Sequence, residues 1–264
     1  MNNRTQNQFL ISIILPSRKR PKELKNTINS FISLADPALN NFEIIIKIDF
    51  DDHESLDYIK TLDNKYENIT FLINSRLKGW YNLVDFFEDL IRVSKSKYMF
   101  GFNDDGLMLT QNWNRILEEK LNEFKIYYPQ VIWDIDLNGH LHDFREAFPI
   151  YPKKLVEKWG YLCPHNNIDN WILEIGKRCT LDPWNEDIIE YIDDLYIRHS
   201  QIPDESSKEK LETVNINHNL RDYHMNSPEL YHCINLLKEH LEYLRWEKIH
   251  QHNIINEYKN SLES

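Results

Sequence analysis

Lys97–Thr110, K-Y-M-F-G-F-N-D-D-G-L-M-L-T, is the stretch on which the fold turns. An apolar, aromatic run short enough for a buried strand ends abruptly in two adjacent carboxylates, Asp104 and Asp105, with Asn103 before them and Gly106 after. Carboxylates at the carboxyl end of a buried strand stand where an open α/β sheet binds its ligands. Two hard oxygen donors there are able to hold Mg²⁺ or Mn²⁺ against a diphosphate, since such ions bind through one or two carboxylates plus phosphate oxygens. The same residues also read as a turn. Asp-Gly between apolar runs is a hairpin signal that would join Tyr98–Phe102 to Leu107–Leu109. On their own these residues leave both readings open.

The preceding chain bears on the choice. Phe9–Leu15, F-L-I-S-I-I-L, is a continuous β-branched run that predicts a central parallel strand stopping at Pro16. Ser17, Arg18, Lys19 and Arg20 follow in a loop, and Pro21 suits the first position of a helix that carries Leu24, Ile28, Phe31 and Ile32 on one face. Free backbone N–H groups, the helix dipole and Arg side chains make such a junction fit for phosphate. Phe42–Asp49 is a second strand, with Asp49, Asp51 and Asp52 at its carboxyl end. One of these three is placed to hydrogen-bond a ribose or base; the alternative is that Asp52 or Asp51 caps the helix carrying Leu56, Ile59 and Leu62. Asn68–Ile73 is a third strand, followed by a second basic loop with Arg76 and Lys78 and a helical face of Leu83, Phe86, Phe87, Leu90 and Ile91. Strands alternating with helices predict a doubly wound, mostly parallel sheet, and four strand ends then meet at one edge.

Composition narrows the class. With 31 basic and 42 acidic residues the formal charge is -11, which argues against broad binding to nucleic acid or anionic membrane and makes the local basic loops stand out. Three cysteines, Cys163, Cys179 and Cys233, form no C-x-x-C pair, so neither a zinc site nor a disulfide framework is indicated. The polar first residues lack the apolar core of a signal peptide and no apolar run reaches membrane-span length; a soluble, cytoplasmic protein is expected.

The order P-S-R-K-R-P after the first strand, I-D-F-D-D after the second, S-R-L-K-G-W-Y-N before the third helix and F-N-D-D-G after the fourth strand resembles the nucleotide-sugar half of glycosyltransferases with the GT-A fold. It is most similar to the large inverting family 2. The resemblance implies an Asp-x-Asp-type metal and diphosphate site at Asn103, Asp104 and Asp105, with Asn103 where an Asp is usual and Asp105 as the main ligand. It also implies nucleotide contacts from Ser17 and Arg18, a base or ribose contact from Asp49, and a diphosphate contact from Lys78. The implied cofactor is Mn²⁺ or Mg²⁺, and the implied donor is a nucleoside diphosphate sugar, UDP ahead of GDP.

Further on, Gln130–Ile135 reads as a strand, and the stretch F-R-E-A-F-P-I-Y that ends at Tyr151 as rebuilt sheet beside the site. His140 and His142 share one strand face, a spacing open to metal or to plain hydrogen bonding. Asp169, in N-I-D-N-W, resembles the general base that family 2 enzymes place at a helix start to deprotonate the acceptor hydroxyl, although Ile168 replaces the usual preceding Glu. The alternative is that Asp169 or Asn167 only caps the helix carrying Trp171, Ile172 and Ile175. Trp159, Tyr161 and Trp171 suit either sugar stacking or core packing. Ile188–His199 has apolar residues on mixed periods, and His199 is the candidate third metal ligand by resemblance.

The resulting expectation is an α/β, GT-A-like protein with a mostly parallel central sheet flanked by helices and a C-terminal helical extension. Residues 1–200 form its catalytic domain, with 1–110 the nucleotide-sugar half and 111–200 the acceptor half. Residues 201–227 are a polar linker or flap in which Tyr223 and His224 would fold over the donor. Residues 228–264 carry an amphipathic helix on Leu230, Ile234, Leu237, Leu241 and Leu244, which packs on the catalytic domain or pairs with a second copy. The expected partners are the sugar nucleotide and a glycan, lipid or protein acceptor, with no nucleic acid and no membrane span. The competing expectation is an inactive GT-A-like module that binds a nucleotide or glycan.

Overall fold

The computed structural model describes residues 9–62, 65–75, 83–123, 125–134, 147–163, 168–180, 188–200 and 230–236. An eight-stranded sheet runs through it, and four of its strands are those expected from the alternating pattern. β1 (Phe9–Ser17), β2 (Phe42–Asp49), β3 (Ile69–Asn74) and β4 (Ser96–Gly101) are parallel, in the spatial order β3-β2-β1-β4. All eight residues of β2 are buried, as a strand covered on both faces requires. Period-two alternation sorts its side chains: Ile44, Ile46 and Ile48 join one core cluster and Ile45 the other.

Helices close each face. α1 (Pro21–Leu34) buries Leu24, Thr27, Ile28 and Phe31, and with α2 (His53–Lys60) it covers the face that carries Ile11, Ile13 and Leu15. α3 (Leu83–Val93) buries Phe86 and packs Phe87, Leu90 and Ile91 with Ile14, Ile45 and Met99 on the opposite face. The first helix starts at Pro21, whose fixed φ and missing N–H suit that position. β1, however, runs past Leu15: Pro16 lies across from Lys47 and Ser17 across from Ile48. A proline near a strand's carboxyl end removes one donor without forcing the extended chain to stop.

Beyond β4 the sheet turns mixed. β5 (Gly106–Met108) follows the carboxylate turn, then come α4 (Trp113–Lys120), β6 (Ile126–Trp133), β7 (Ile150–Pro152), α5 (Lys153–Trp159), α6 (Ile168–Thr180) and β8 (Ile189–His199). β7 is antiparallel to β4 and to β6, β6 is parallel to β8, and β5 is antiparallel to β8 at the far end. β6 begins four residues before the strand expected from Gln130 and ends two residues before Ile135, and its register against β8 shifts between Pro129 and Gln130, where proline supplies no ladder donor. Ile188–His199, ambiguous by periodicity, is nearly all strand.

Residues 230–236 are helical up to Leu236, and Leu230, Cys233 and Ile234 are buried in the cluster that holds α6. No described helix is long and apolar enough to cross a membrane. Arg76, Lys78, His140, His142, Asn167, Tyr223 and His224 lie outside the described residues, as do the whole of the proposed flap, residues 201–227, and the C-terminal amphipathic stretch beyond Leu236.

Candidate functional site

The basic loop after β1 is locked before any ligand is considered. Lys19 adopts a left-handed φ of 52°, unusual for a residue with a side chain, and its backbone N–H donates to the Asp52 carboxylate at 2.6 Å. The other oxygen of Asp52 accepts from Ser55 N at 3.2 Å, so one buried carboxylate caps α2 and pins the loop together. Arg18 then reaches Asp49 at 2.7 Å and grips both oxygens of Asp51 at 2.7 and 2.9 Å. Its hydrogen bond to Asp51 first, and Asp49 with it, holds the guanidinium above its ordinary value despite partial burial. Burial pushes the Asp49 carboxyl up, with Arg18 opposing.

The carboxylate turn is clamped from three sides. β5 pairs with β8 rather than with β4, so Asn103–Gly106 is not the hairpin its Asp-Gly signal allowed. A turn it nevertheless is, with Gly106 N–H donating to the Asn103 carbonyl at 3.1 Å. From below, the buried Thr27 hydroxyl of α1 lies 2.8 Å from the Asp104 carbonyl and 2.7 Å from that of Gly106, sharing its one proton between them. From the β1 side, Ser17 Oγ donates to Asp104 Oδ2 at 2.8 Å, while Arg20 Nη1 bridges Asp104 Oδ1 and Asp105 Oδ2, each at 3.2 Å. From the β8 side, Ser200 N–H donates to the Asp105 carbonyl at 3.0 Å. Burial pushes the Asp104 carboxyl up to about 7, opposed by the charge of Arg20 and reinforced by that of Asp105.

The second oxygen of Asp105 faces His199. Nε2 of the imidazole lies 3.0 Å from Asp105 Oδ1, and the ring is wedged edge-on between Trp133 at 4.6 Å and Phe148 at 5.0 Å between centroids. Phe148 takes a φ of 59° to bring its ring over Phe102, 4.6 Å away and stacked. Beside this wedge, Asp134 accepts from Arg198 Nε and Ser200 Oγ, both at 2.8 Å, which ties the ends of β6 and β8 together.

Two donors on adjacent corners of an octahedral Mg²⁺ or Mn²⁺ shell with bonds near 2.1 Å stand about 3 Å apart. The Asp105–His199 separation therefore fits a shared ion, and carboxylate with imidazole is a donor set that suits Mn²⁺. Among the described residues no group of three or more His, Cys, Asp or Glu side chains is arranged to hold a metal, so remaining positions would fall to water and diphosphate oxygens. Asn103 is exposed, and its carbonyl closes the turn.

The structure thus brings Ser17, Arg18, Asp49, Asp104, Asp105 and His199 to one sheet edge. Asp169 lies on a different element, in the first turn of α6, where its backbone carbonyl accepts from the Tyr128 hydroxyl at 3.5 Å. Its charge adds to the burial that raises the Tyr151 hydroxyl on β7. Trp159 and Trp171 are buried core residues and are closed to sugar stacking. Arg20, Thr27, Trp133, Phe148 and Asp134 had no assigned role in the sequence. Arg20 was legible only as one of three basic loop residues, and the others reach the site through pairings with distant strands.

Residues 12–174 match the model of glycosyl transferase family 2, well over half of the chain. The protein therefore belongs to glycosyl transferase family 2. Comparison with curated protein sequences gave no match. Among solved structures, the chain is similar to S. aureus TarS 1-349 in complex with UDP, with TM-score 0.56 and 13% identity over 74% of this chain and 61% of that one. It is equally similar to the same protein in complex with UDP-GlcNAc, with TM-score 0.56 and 12% identity over 75% of this chain and 60% of that one. At this identity the likeness establishes the fold, the GT-A arrangement of a mostly parallel sheet between helices. The chain spans about three fifths of the length of those structures.

Proposed function

We propose that the protein transfers a sugar from a nucleoside diphosphate sugar to an acceptor hydroxyl, with Mn²⁺ or Mg²⁺ held by Asp105 and His199. The single observation that carries this reading is the Asp105–His199 pair at 3.0 Å, beside a basic loop at the carboxyl ends of parallel strands. In this reading Ser17 and Arg18 contact the nucleotide and Asp49 the base or ribose, a reading supported by the Ser17–Asp104 and Arg18–Asp49 hydrogen bonds that tie these residues to the carboxylate turn and to β2. A bound ion would neutralise charge on the departing diphosphate. Arg18 and, from its sequence position, Lys78 add positive charge to the donor site. Asp169 is the proposed base for the acceptor hydroxyl, in a displacement that inverts the anomeric carbon. UDP is preferred to GDP because the similar TarS structures hold UDP and UDP-GlcNAc.

The proposed acceptor is a hydroxyl of a glycan, lipid or protein, the proposed role is glycan biosynthesis, and the proposed location is the cytoplasm. Pairing with a second copy through residues 228–264 is the alternative to packing on the catalytic domain, and sedimentation of the full chain tests it: a dimer supports pairing and a monomer overturns it.

Calorimetry of UDP, GDP and their sugars on wild type and Asp105→Ala, with and without Mn²⁺, tests the donor site. Binding that needs both the ion and Asp105 supports it; no binding under any condition overturns it. Asn103, in place of a second carboxylate, favours one alternative, a module that binds nucleotide without turnover. Metal-independent binding with no hydrolysis of the sugar nucleotide would select that alternative.

A further inference from the structure

We propose that Arg20 is a built-in counter-cation that keeps Asp104 and Asp105 from capturing a divalent ion until a nucleoside diphosphate arrives, so that metal and donor bind as a coupled pair; this rests on the metal-and-donor reading above. One guanidinium nitrogen, Nη1, lies 3.2 Å from Asp104 Oδ1 and 3.2 Å from Asp105 Oδ2. The two oxygens of Asp105 thus face opposite ways, Oδ1 toward His199 and Oδ2 toward Arg20. An ion on the His199 side sits within a few ångströms of a group that stays charged at any working pH.

The contact is held by the fold. Arg20 is the residue before Pro21 at the start of α1, its side chain is only 14% exposed, and both carboxylates are at least as buried. In so dry a pocket like charges repel with little screening, so Arg20 lowers the affinity of Asp105 for a bare divalent cation. A diphosphate changes the balance. It adds negative charge at the same sheet edge, which offsets the repulsion between the guanidinium and the incoming ion. Each ligand then raises the affinity for the other by the same factor.

The test is Mn²⁺ titrated into the full chain, with free ion read by electron paramagnetic resonance, for wild type, R20Q and R20K, with and without saturating UDP. Without UDP, R20Q is expected to bind Mn²⁺ about tenfold or more tightly than wild type, and the gain that UDP confers on wild type is expected to shrink in R20Q. R20K, which keeps the charge, is expected to behave as wild type, and thermal melting verifies that all three are folded. Mn²⁺ binding by UDP-free R20Q that is unchanged or weaker overturns the proposal, because Arg20 would then organise the carboxylates instead of screening them. Mn²⁺ binding in R20Q alone, with wild type taking it up only beside UDP, supports the proposal in its strongest form. If no variant binds Mn²⁺ with or without UDP, the metal reading itself falls and this proposal with it.

Discussion

Asp105 and His199, 94 residues apart in sequence, meet at 3.0 Å because Gly106 and His199 are partners in the β5–β8 ladder. The pairing register sets the distance, so the imidazole needs no loop to deliver it. Removing either side chain is expected to weaken Mn²⁺ binding ten- to a hundredfold at least, the loss typical of disturbing even an outer partner of a metal site. For Asp105→Asn, transfer is expected to fall about a hundredfold or more as well. Paired titration and steady-state rates check both; a His199→Ala protein with wild-type Mn²⁺ affinity would remove His199 from the metal site.

Arg18 serves two carboxylates of unlike worth. Asp49 is buried at the end of β2, whereas the Asp51 side chain is 45% exposed. Exposed ion pairs contribute about 1 kcal/mol or less. Asp51→Asn is therefore expected to change UDP affinity by less than about fivefold, while Arg18→Ala, which would remove the charge-assisted nucleotide contact proposed for it, is expected to cost about tenfold or more. Calorimetry with UDP separates them; equal losses would mean that Asp51 itself contacts the nucleotide.

Gly106 has no room for a side chain. A Cβ there would stand 2.6 and 2.8 Å from atoms of the Phe102 ring, which is stacked on Phe148 and packed edge-on against Phe31 at 4.8 Å. Gly106→Ala is expected to cost about 1–3 kcal/mol in urea unfolding, the usual range for overpacking a filled core. Because the displaced ring supports the wedge around His199, Mn²⁺ affinity is expected to drop too. An unchanged denaturation midpoint would show that Phe102 can move aside.

Lys47 gives a pH signature. Its side chain is 2% exposed, with Nζ 3.4 Å above the Phe86 ring and 3.7 Å from Asp89. Burial lowers its pKa, with Asp89 and Asp49 opposing. Below the depressed value both folded and unfolded chains are protonated and the cost of the buried charge is constant. Between that value and about 10.4, the ordinary lysine value, the unfolded chain binds more protons, so stability rises with pH. In Lys47→Met that rise is expected to vanish, and Asp89 keeps Arg92 as a partner at 3.2 Å. Urea unfolding from about pH 7 to about pH 10 should show the variant's advantage shrinking as pH climbs; parallel curves would contradict the assignment.

The first half of the chain was legible because its strands are buried on both faces. Ile44–Ile48 and Ile11–Leu15 read as apolar runs broken only by Lys47 and Ser12, and each run is followed by a polar cluster that the parallel topology must bring to the same edge. The Asp52 cap was legible too, as a local contact three residues long. Later elements were harder. β8 exposes Tyr191, Asp193, Asp194 and Tyr196 and shifts register against β6, so no single period survives in its sequence. The Arg20 bridge and the Thr27 support depend on α1 lying against β5, a contact no local pattern encodes.

The β5–β8 ladder also orders events during folding. The four parallel strands can associate once residues up to Gly101 are available, but the turn at Asp104 and Asp105 lacks its third wall until Ile197, Arg198 and His199 dock. Closing a loop of that length is slow relative to local pairing. On the proposed metal reading, competence to capture an ion would accordingly be a late acquisition for the chain, because the basic loop after β1 can assemble before Asp105 and His199 meet.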